Sequence, residues 1–394
     1  MGRNDLGKCG MNRRQFLSQC GNCVFICASP AILPVFFKKD SANAALVKKG
    51  AIGRKLSPYF TPLSHKAVRC DLCPHQCEVK DGQRGLCEVR ENIDGRYFSL
   101  VYGNPCAVNI DPIEKKPFYH VLPATKALSV ATAGCNFDCK FCVNWEIAQA
   151  RPEDTYNYLL KPNQIVSQAV RYGCHAIASG YVEPVVFMEY MIEIGRQTRA
   201  FPLLKIMHSN GFMNEKPLMD LCNYLDAACV DLKGFTEDFY QDMAEGSLRP
   251  VLETLKRLKA GRVHIEIVNL IIPGKNDDMA HVHAMCHWIR DELGPDVPLH
   301  FLRFYPRYKL KGIAPTPVKT LEQARSAALA VGLNFVYIGN IPKHPGAHTY
   351  CPQCEKMLIK RIGYNVKVLA LKNGKCLHCG RPVPGIWKQR QPGA

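Results

Sequence analysis

The chain has 394 residues, 47% of them hydrophobic, enough for one large α/β core with small attachments, which excludes wholesale disorder. Its formal charge is +17, but lysines and arginines are spread along the chain without a long block, so nucleic-acid binding is not expected. Twenty cysteines is far above ordinary usage, and eleven of them fall into three tight groups, which in a chain this long argues for metal or cluster binding over a disulfide framework.

At the N-terminus, Asn12-Arg13-Arg14-Gln15-Phe16-Leu17 matches a twin-arginine export signature. An apolar stretch over 20–37 and a small-residue site at Ala42-Asn43-Ala44 follow, the order of a signal peptide, so residues 1–44 are set aside from the fold. Cys20, Cys23 and Cys27 in that stretch are read as small hydrophobes. Such a signal points to export or membrane association. A linker then runs to about Ser64.

Residues 65–120 form a Cys-rich module. Cys70, Cys73, Cys77 and Cys87 supply four thiols, and Gly82 and Gly85 let the chain turn back toward a metal. This set suits zinc or a second iron–sulfur cluster, and ligand type alone does not separate them. His75 is expected to be a free surface histidine.

Residues 121–345 alternate short apolar runs with amphipathic stretches. Strands are predicted at 127–133, 176–179, 203–208, 227–232, 263–271, 299–304 and 334–338, and helices at 185–198 and 277–292. Repeated strand–helix units imply a parallel sheet with right-handed crossovers. Six or seven units fit a partial (β/α)6-type TIM barrel, with a doubly wound open sheet as the alternative. In either architecture the chemistry belongs at the carboxyl ends of the strands.

Just past the first predicted strand comes Gly134-Cys135-Asn136-Phe137-Asp138-Cys139-Lys140-Phe141-Cys142. Three thiols on one loop can hold three irons of a [4Fe–4S] cubane and leave the fourth without a protein ligand, an open position that catalysis needs.

At the C-terminus, residues 349–388 carry the knuckles Cys351-Pro352-Gln353-Cys354 and Cys376-Leu377-His378-Cys379, with predicted strands between them. This is a zinc-ribbon or rubredoxin-like module, for which structural zinc is the default. Cys106, Cys174, Cys222, Cys229 and Cys286 stand alone and are read as buried small hydrophobes. Counting the expected thiolate sites as charged lowers the working charge to about +12.

The C-x3-C-x2-C loop, with Phe141 before its last Cys, resembles the radical S-adenosylmethionine (SAM) superfamily signature. Asp111-Pro112-Ile113-Glu114-Lys115-Lys116-Pro117 and Asn144-Trp145-Glu146-Ile147 narrow the match to the AmmeMemoRadiSam-system radical SAM enzymes, relatives of the pyruvate formate-lyase activating enzymes. The resemblance implies a cluster on Cys135, Cys139 and Cys142 whose free iron chelates SAM, a low-potential electron donor such as flavodoxin or ferredoxin, and hydrogen abstraction from a substrate that in these relatives is a protein. It also implies SAM contacts at the strand ends. Candidates are Glu183 in a degraded double-Gly segment (Gly180-Tyr181-Val182-Glu183-Pro184), Ser209 and Asn210 after the third strand, and Asp231 and Lys233 after the fourth. Asn269 and Arg303 lie in the fifth and sixth. SAM and its reductants are cytosolic, which conflicts with an export signal. The competing expectation is a multi-cluster electron-transfer or scaffold protein without SAM chemistry.

Overall fold

Eight strands form one sheet whose core is a run of seven parallel strands, apolar on both faces, as expected when helices cover one side and packed side chains fill the other. The computed structural model describes residues 46–391, so the expected signal segment lies outside the described residues. In chain order the strands are β1 (Ala107–Pro112), β2 (Lys126–Ala131), β3 (Ala176–Ser179), β4 (Leu204–Ser209), β5 (Ala227–Asp231), β6 (His264–Ile271), β7 (Leu299–Arg303) and β8 (Val336–Gly339). Neighbours from β2 to β8 pair in parallel and in sequence order, while β1 pairs antiparallel with β2 and closes that edge. All seven strands predicted in this region are present, with ends shifted by no more than two residues.

The helices follow from their patterns. After β2 comes α1 (Pro162–Arg171), opened by a Pro at its first turn. After β3 comes α2 (Met188–Thr198), after β4 α3 (Glu215–Cys222), and after β5 the pair α4 (Glu237–Ala244) and α5 (Leu248–Ala260). α5 buries Leu248, Val251, Leu255 and Leu258, an i, i+3, i+4 stripe facing the sheet. α6 (Met279–Trp288) and α7 (Val318–Val331) follow β6 and β7. Two expected helices start late. Pro184–Phe187 is a 3₁₀ turn, because the Glu183 side chain caps the Val185 N–H there. Asp277 is drawn back to the Gly274 N–H, leaving Asp278 to cap α6 at the Ala280 N–H.

Two boundaries differ from the expectation. β1 lies within the segment assigned to the Cys-rich module, yet it belongs to the barrel sheet. Its polar residues (Asn109, Asp111) broke the apolar pattern that marks the parallel strands. The expected linker is built into the fold: Val47–Lys49 pairs with Tyr156–Tyr158, Lys55–Leu56 with Arg96–Ser99, and Phe60–Pro62 with Val68–Cys70.

The C-terminal module, with strands β9 (Thr349–Tyr350), β10 (Met357–Ile362) and β11 (Asn365–Val368), docks at the amino-terminal end of the barrel. Glu266, fully buried near the start of β6, accepts the Tyr119 and His120 N–H groups and lies 2.8 Å from His300 Nε2. Burial would raise its carboxyl, but His264 and His300 outweigh burial and hold it well below the usual range. From the same segment, His120 Nε2 lies 2.6 Å from the Tyr337 hydroxyl and its Nδ1 2.7 Å from the Pro384 carbonyl. Arg361 of the module reaches back to donate to the Tyr119 carbonyl at 2.8 Å and to Thr349 Oγ1 at 2.7 Å.

Lys205 is the one cation in the interior of β4, with Nζ donating to Ser179 Oγ at 2.6 Å. Burial pushes it down from 10.5 to about 7, only partly countered by Asp226. Between those values the unfolded chain binds the extra proton, so this lysine makes stability rise with pH from about 7 to 10.5; below 7 both states are protonated and its contribution is flat and unfavourable. Lys205→Met is expected to raise the melting temperature at neutral pH and to flatten that rise. Melting curves collected from pH 6 to pH 10 on both proteins check it; parallel curves would refute it.

Candidate active site and metal centres

At the carboxyl end of β2 the chain leaves the sheet and makes the loop that carries the central thiols. Cys139 is buried, and Cys135 and Cys142 are partly so. Gly134 opens the loop at φ +86, where an added Cβ would stand 2.5 Å from the Cys87 carbonyl oxygen and 2.6 Å from Val89. Glycine is therefore needed twice, for the left-handed backbone and for the close approach of the Cys-rich module. Burial pushes each of the three thiols up to about 12. The Phe137 and Glu183 N–H groups point at the Cys135 sulfur and the Asn144 N–H at that of Cys142, while Lys233 is the cation facing Cys139. Buried sulfurs served by backbone donors and a cation are a set for thiolates bound to metal, so these residues fit an iron–sulfur cluster.

Glu183, Ser209 and Asn210 come together, as the sequence suggested, but they serve one another. Glu183 accepts from Ser209 Oγ at 2.8 Å, from the Asn210 N–H at 2.6 Å and from the Val185 N–H at 3.1 Å. Burial raises its carboxyl to about 7 against these donors. Asn210 Nδ2 then donates to Asn136 Oδ1 at 2.8 Å, and Asn136 Nδ2 donates to the Phe212 carbonyl at 2.9 Å. The ends of β3 and β4 are thus tied to the cysteine loop between Cys135 and Cys139. Asn136 was not singled out in the sequence, although its place inside the C-x3-C spacing was the signal.

Asp231 and Lys233 also meet, 3.0 Å apart, with His208 Nε2 2.6 Å from the other Asp231 oxygen. Burial acts to raise the Asp231 carboxyl, and His208 and Lys233 together override it and hold it well below the usual range. Asn269 donates to the Leu232 carbonyl at 2.8 Å and so braces that turn from beneath. Arg303 stands apart, donating to the Thr316 carbonyl at 2.8 Å and to the Tyr305 hydroxyl at 3.3 Å.

A further polar group starts from Asp111, which pairs with Ala127 near the amino-terminal end of β2. Asp111 pairs with Lys115 and Lys116, each at 2.8 Å, and accepts from Ser129 Oγ and from the Tyr181 hydroxyl. Lys116 is buried, with its ammonium 3.5 Å from the Tyr181 ring centroid. Tyr181 has φ +68, a left-handed backbone that a non-glycine residue seldom adopts. Asn144, donating to the Tyr181 carbonyl at 2.7 Å, holds it there.

The flanking cysteines divide into two kinds. Among the described residues, Cys351, Cys354, Cys376 and Cys379 are the set whose sulfurs all lie within 4.8 Å of one another. Pairs at 3.5 and 3.8 Å match the roughly 3.8 Å edge of a tetrahedron with metal–sulfur bonds of about 2.3 Å, so one metal ion fits. The N-terminal quartet (Cys70, Cys73, Cys77, Cys87) surrounds a cavity instead. His75 there is not free: its Nε2 lies 2.7 Å from the Asn136 carbonyl and its ring packs on Phe212. None of the sixteen cysteines among the described residues is in a disulfide.

Comparison with known proteins places these features in context. The model of the radical SAM superfamily matches residues 129–287. Uncharacterized protein MJ0808 of Methanocaldococcus jannaschii is 42% identical over 327 residues, 82% of this chain and 97% of the relative. Pyruvate formate-lyase 1-activating enzyme of Escherichia coli strain K12 is 23% identical over 207 residues, 49% of this chain and 84% of the relative. Among solved structures, a radical SAM methyltransferase from Sphaerobacter thermophilus covers 60% of this chain and 71% of its own at 15% identity, with a TM-score of 0.44.

Gly134→Ala is expected to destabilise the chain by about 2 kcal/mol or more, through strain at positive φ plus the clash with Cys87. Gly173→Ala is the control, since Gly173 has φ +63 but open space around its Cβ position. Denaturant unfolding of the two variants should show a clearly larger loss for Gly134; equal losses would mean that the loop does not depend on this contact.

Proposed function

From the premise that this chain belongs to the radical SAM superfamily, we propose that it is an enzyme that uses a [4Fe–4S] cluster on Cys135, Cys139 and Cys142 to cleave SAM and abstract hydrogen from a protein substrate. The observation that supports this most directly is the set of three thiols, Cys139 buried and Cys135 and Cys142 partly so, on one loop at the carboxyl end of the barrel, each sulfur facing backbone donors or Lys233. Held by Cys135, Cys139 and Cys142, such a cluster would supply the electron for reductive cleavage of SAM and so the radical chemistry that hydrogen abstraction requires.

The chain's own residues prepare that event. The Glu183–Asn210–Asn136 ties fix where Cys135 stands relative to the ends of β3 and β4. Asp231 keeps Lys233 charged, with help from Cys139, against a burial that would neutralise it, so a cation stays beside the cysteine loop. That cation favours the thiolate form of Cys139 and an electron-rich centre next to it. At the barrel rim, Val143 is exposed and Trp145 stacks on Tyr308 at 5.1 Å, an apolar lip suited to a bulky partner. A protein substrate also agrees with relatives named for activating pyruvate formate-lyase 1 and a sulfopropanediol dehydratase. The positive charge of the chain suits an acidic low-potential donor of the flavodoxin or ferredoxin kind. For the C-terminal quartet the reading is structural zinc, because it sits at the pole of the barrel away from the cysteine loop.

Anaerobic reconstitution with iron and sulfide, followed by dithionite and SAM, is expected to yield 5′-deoxyadenosine. Cys139→Ala should lower that yield at least a hundredfold while Cys354→Ser leaves the chemistry intact and releases one zinc. Equal nucleoside yield from wild type and Cys139→Ala would overturn the assignment.

A further inference from the structure

Cys70, Cys73, Cys77 and Cys87 line one pocket, partly open to solvent, together with Arg90, Tyr97, Asn136 and Val185. We propose that this cavity holds a second, fully thiolate-ligated [4Fe–4S] cluster rather than zinc. The reasoning uses the protein's own internal standards. The C-terminal sulfurs close to within 4.8 Å, as one ion demands, and among the described residues neither the N-terminal quartet nor the central triplet meets that condition. A cubane puts a separate iron in front of each sulfur and so holds its ligands farther apart than one tetrahedral ion does. The comparison with the triplet rests on the reading of that loop as a cubane site; the comparison with the C-terminal quartet does not.

The cavity's wall supports the same occupant. Gly85 leaves room where a Cβ would stand 2.9 Å from the Tyr97 hydroxyl and 3.6 Å from the Cys77 sulfur. Tyr97 is fully buried, and its hydroxyl has no hydrogen-bond partner of normal geometry while facing the Cys70 sulfur. A buried hydroxyl needs an acceptor, and a bound cluster would supply acceptor sulfurs on that side. The Leu72, His75 and Val89 N–H groups point at the sulfurs of Cys70, Cys73 and Cys87. Arg90, held bidentate by Glu189 at 2.6 and 2.9 Å, brings a buried cation near the sulfurs of Cys70 and Cys87. His75, on the same wall, has its Nε2 engaged by the Asn136 carbonyl at 2.7 Å.

Position gives this cluster a neighbour. Asn136 belongs to both the cavity wall and the central loop, and the Cys87 carbonyl packs on Gly134, the residue before Cys135. Asn214, beyond β4, donates to the Cys73 carbonyl at 3.1 Å and ties the module to the barrel mouth.

The test uses the full chain, reconstituted anaerobically with ferrous iron and sulfide. A Cys135→Ala/Cys139→Ala/Cys142→Ala protein should still bind about four irons and four sulfides and, once reduced, give a cubane paramagnetic signal indifferent to SAM. Cys70→Ser/Cys73→Ser should lose that amount and keep a signal that changes when SAM is added. Tyr97→Phe should lower the reduction potential of the SAM-indifferent signal alone, because a hydrogen bond to a cluster sulfur is lost. One zinc and no sulfide in the triple variant overturns the second cluster. Absence of a SAM response in the wild type instead refutes the central site and leaves this one standing.

Discussion

A sulfur anion cannot rest in an apolar interior without a cation to face it, and the structure is arranged around that constraint. Burial drives Cys135, Cys139 and Cys142 toward the neutral thiol. Keeping them as ligands takes metal charge, backbone N–H groups aimed at the sulfurs, and a cation such as Lys233 nearby. Those donors come from Phe137 and Asn144 of the loop and from Glu183 beyond β3, so backbone groups, more than side chains, build the site. Gly134 is what lets that backbone enter at the required angle while packed against the Cys-rich module.

From this constraint follows a division of the molecule into two poles. At the carboxyl ends of the strands, polar groups are linked across strands: Glu183 joins β3 to β4, Asn136 joins both to the cysteine loop, and Asp231 gathers His208 and Lys233. Each link fixes a loop whose own sequence would leave it free, and pre-organised groups of this sort spare the reorganisation a reaction would otherwise require. At the amino-terminal ends, Glu266 and Arg361 clamp the segment carrying Tyr119 and His120 between barrel and ribbon. A buried carboxylate served by two N–H groups and two histidines stabilises by geometry, and losing a single partner would leave an uncompensated charge. The single-ion site sits at that pole and the N-terminal thiols at the other, which is why the two four-cysteine modules are assigned different tasks.

The parallel strands and the cysteine groups were legible from the sequence, because both signals are local. An apolar run such as 176–179 must be buried on both faces wherever it lies, and C-x3-C-x2-C places three thiols on one loop in any fold. The contacts of Glu183, Ser209 and Asn210 were legible only as neighbours at strand ends. That Glu183 would spend its oxygens on Ser209 and Asn210 depended on how far β3 and β4 advance before turning. β1 escaped the pattern because Asn109 and Asp111 interrupt it, and what makes them tolerable is only partly local: Lys115 and Lys116 lie just beyond the strand, whereas Tyr181 is 70 residues away from Asp111.

Composition and spacing by themselves determined the fold class, the three thiol groups and the end of the barrel where chemistry belongs, since each follows from periodicities of a few residues. Tertiary structure alone decided which sulfurs converge tightly enough for one ion and which encircle a cavity, and that His75 is engaged by the Asn136 carbonyl instead of lying free. The physical reason is the same in each case: sequence spacing sets which side chains share a turn, whereas the distance between turns is set by packing between elements far apart in the chain.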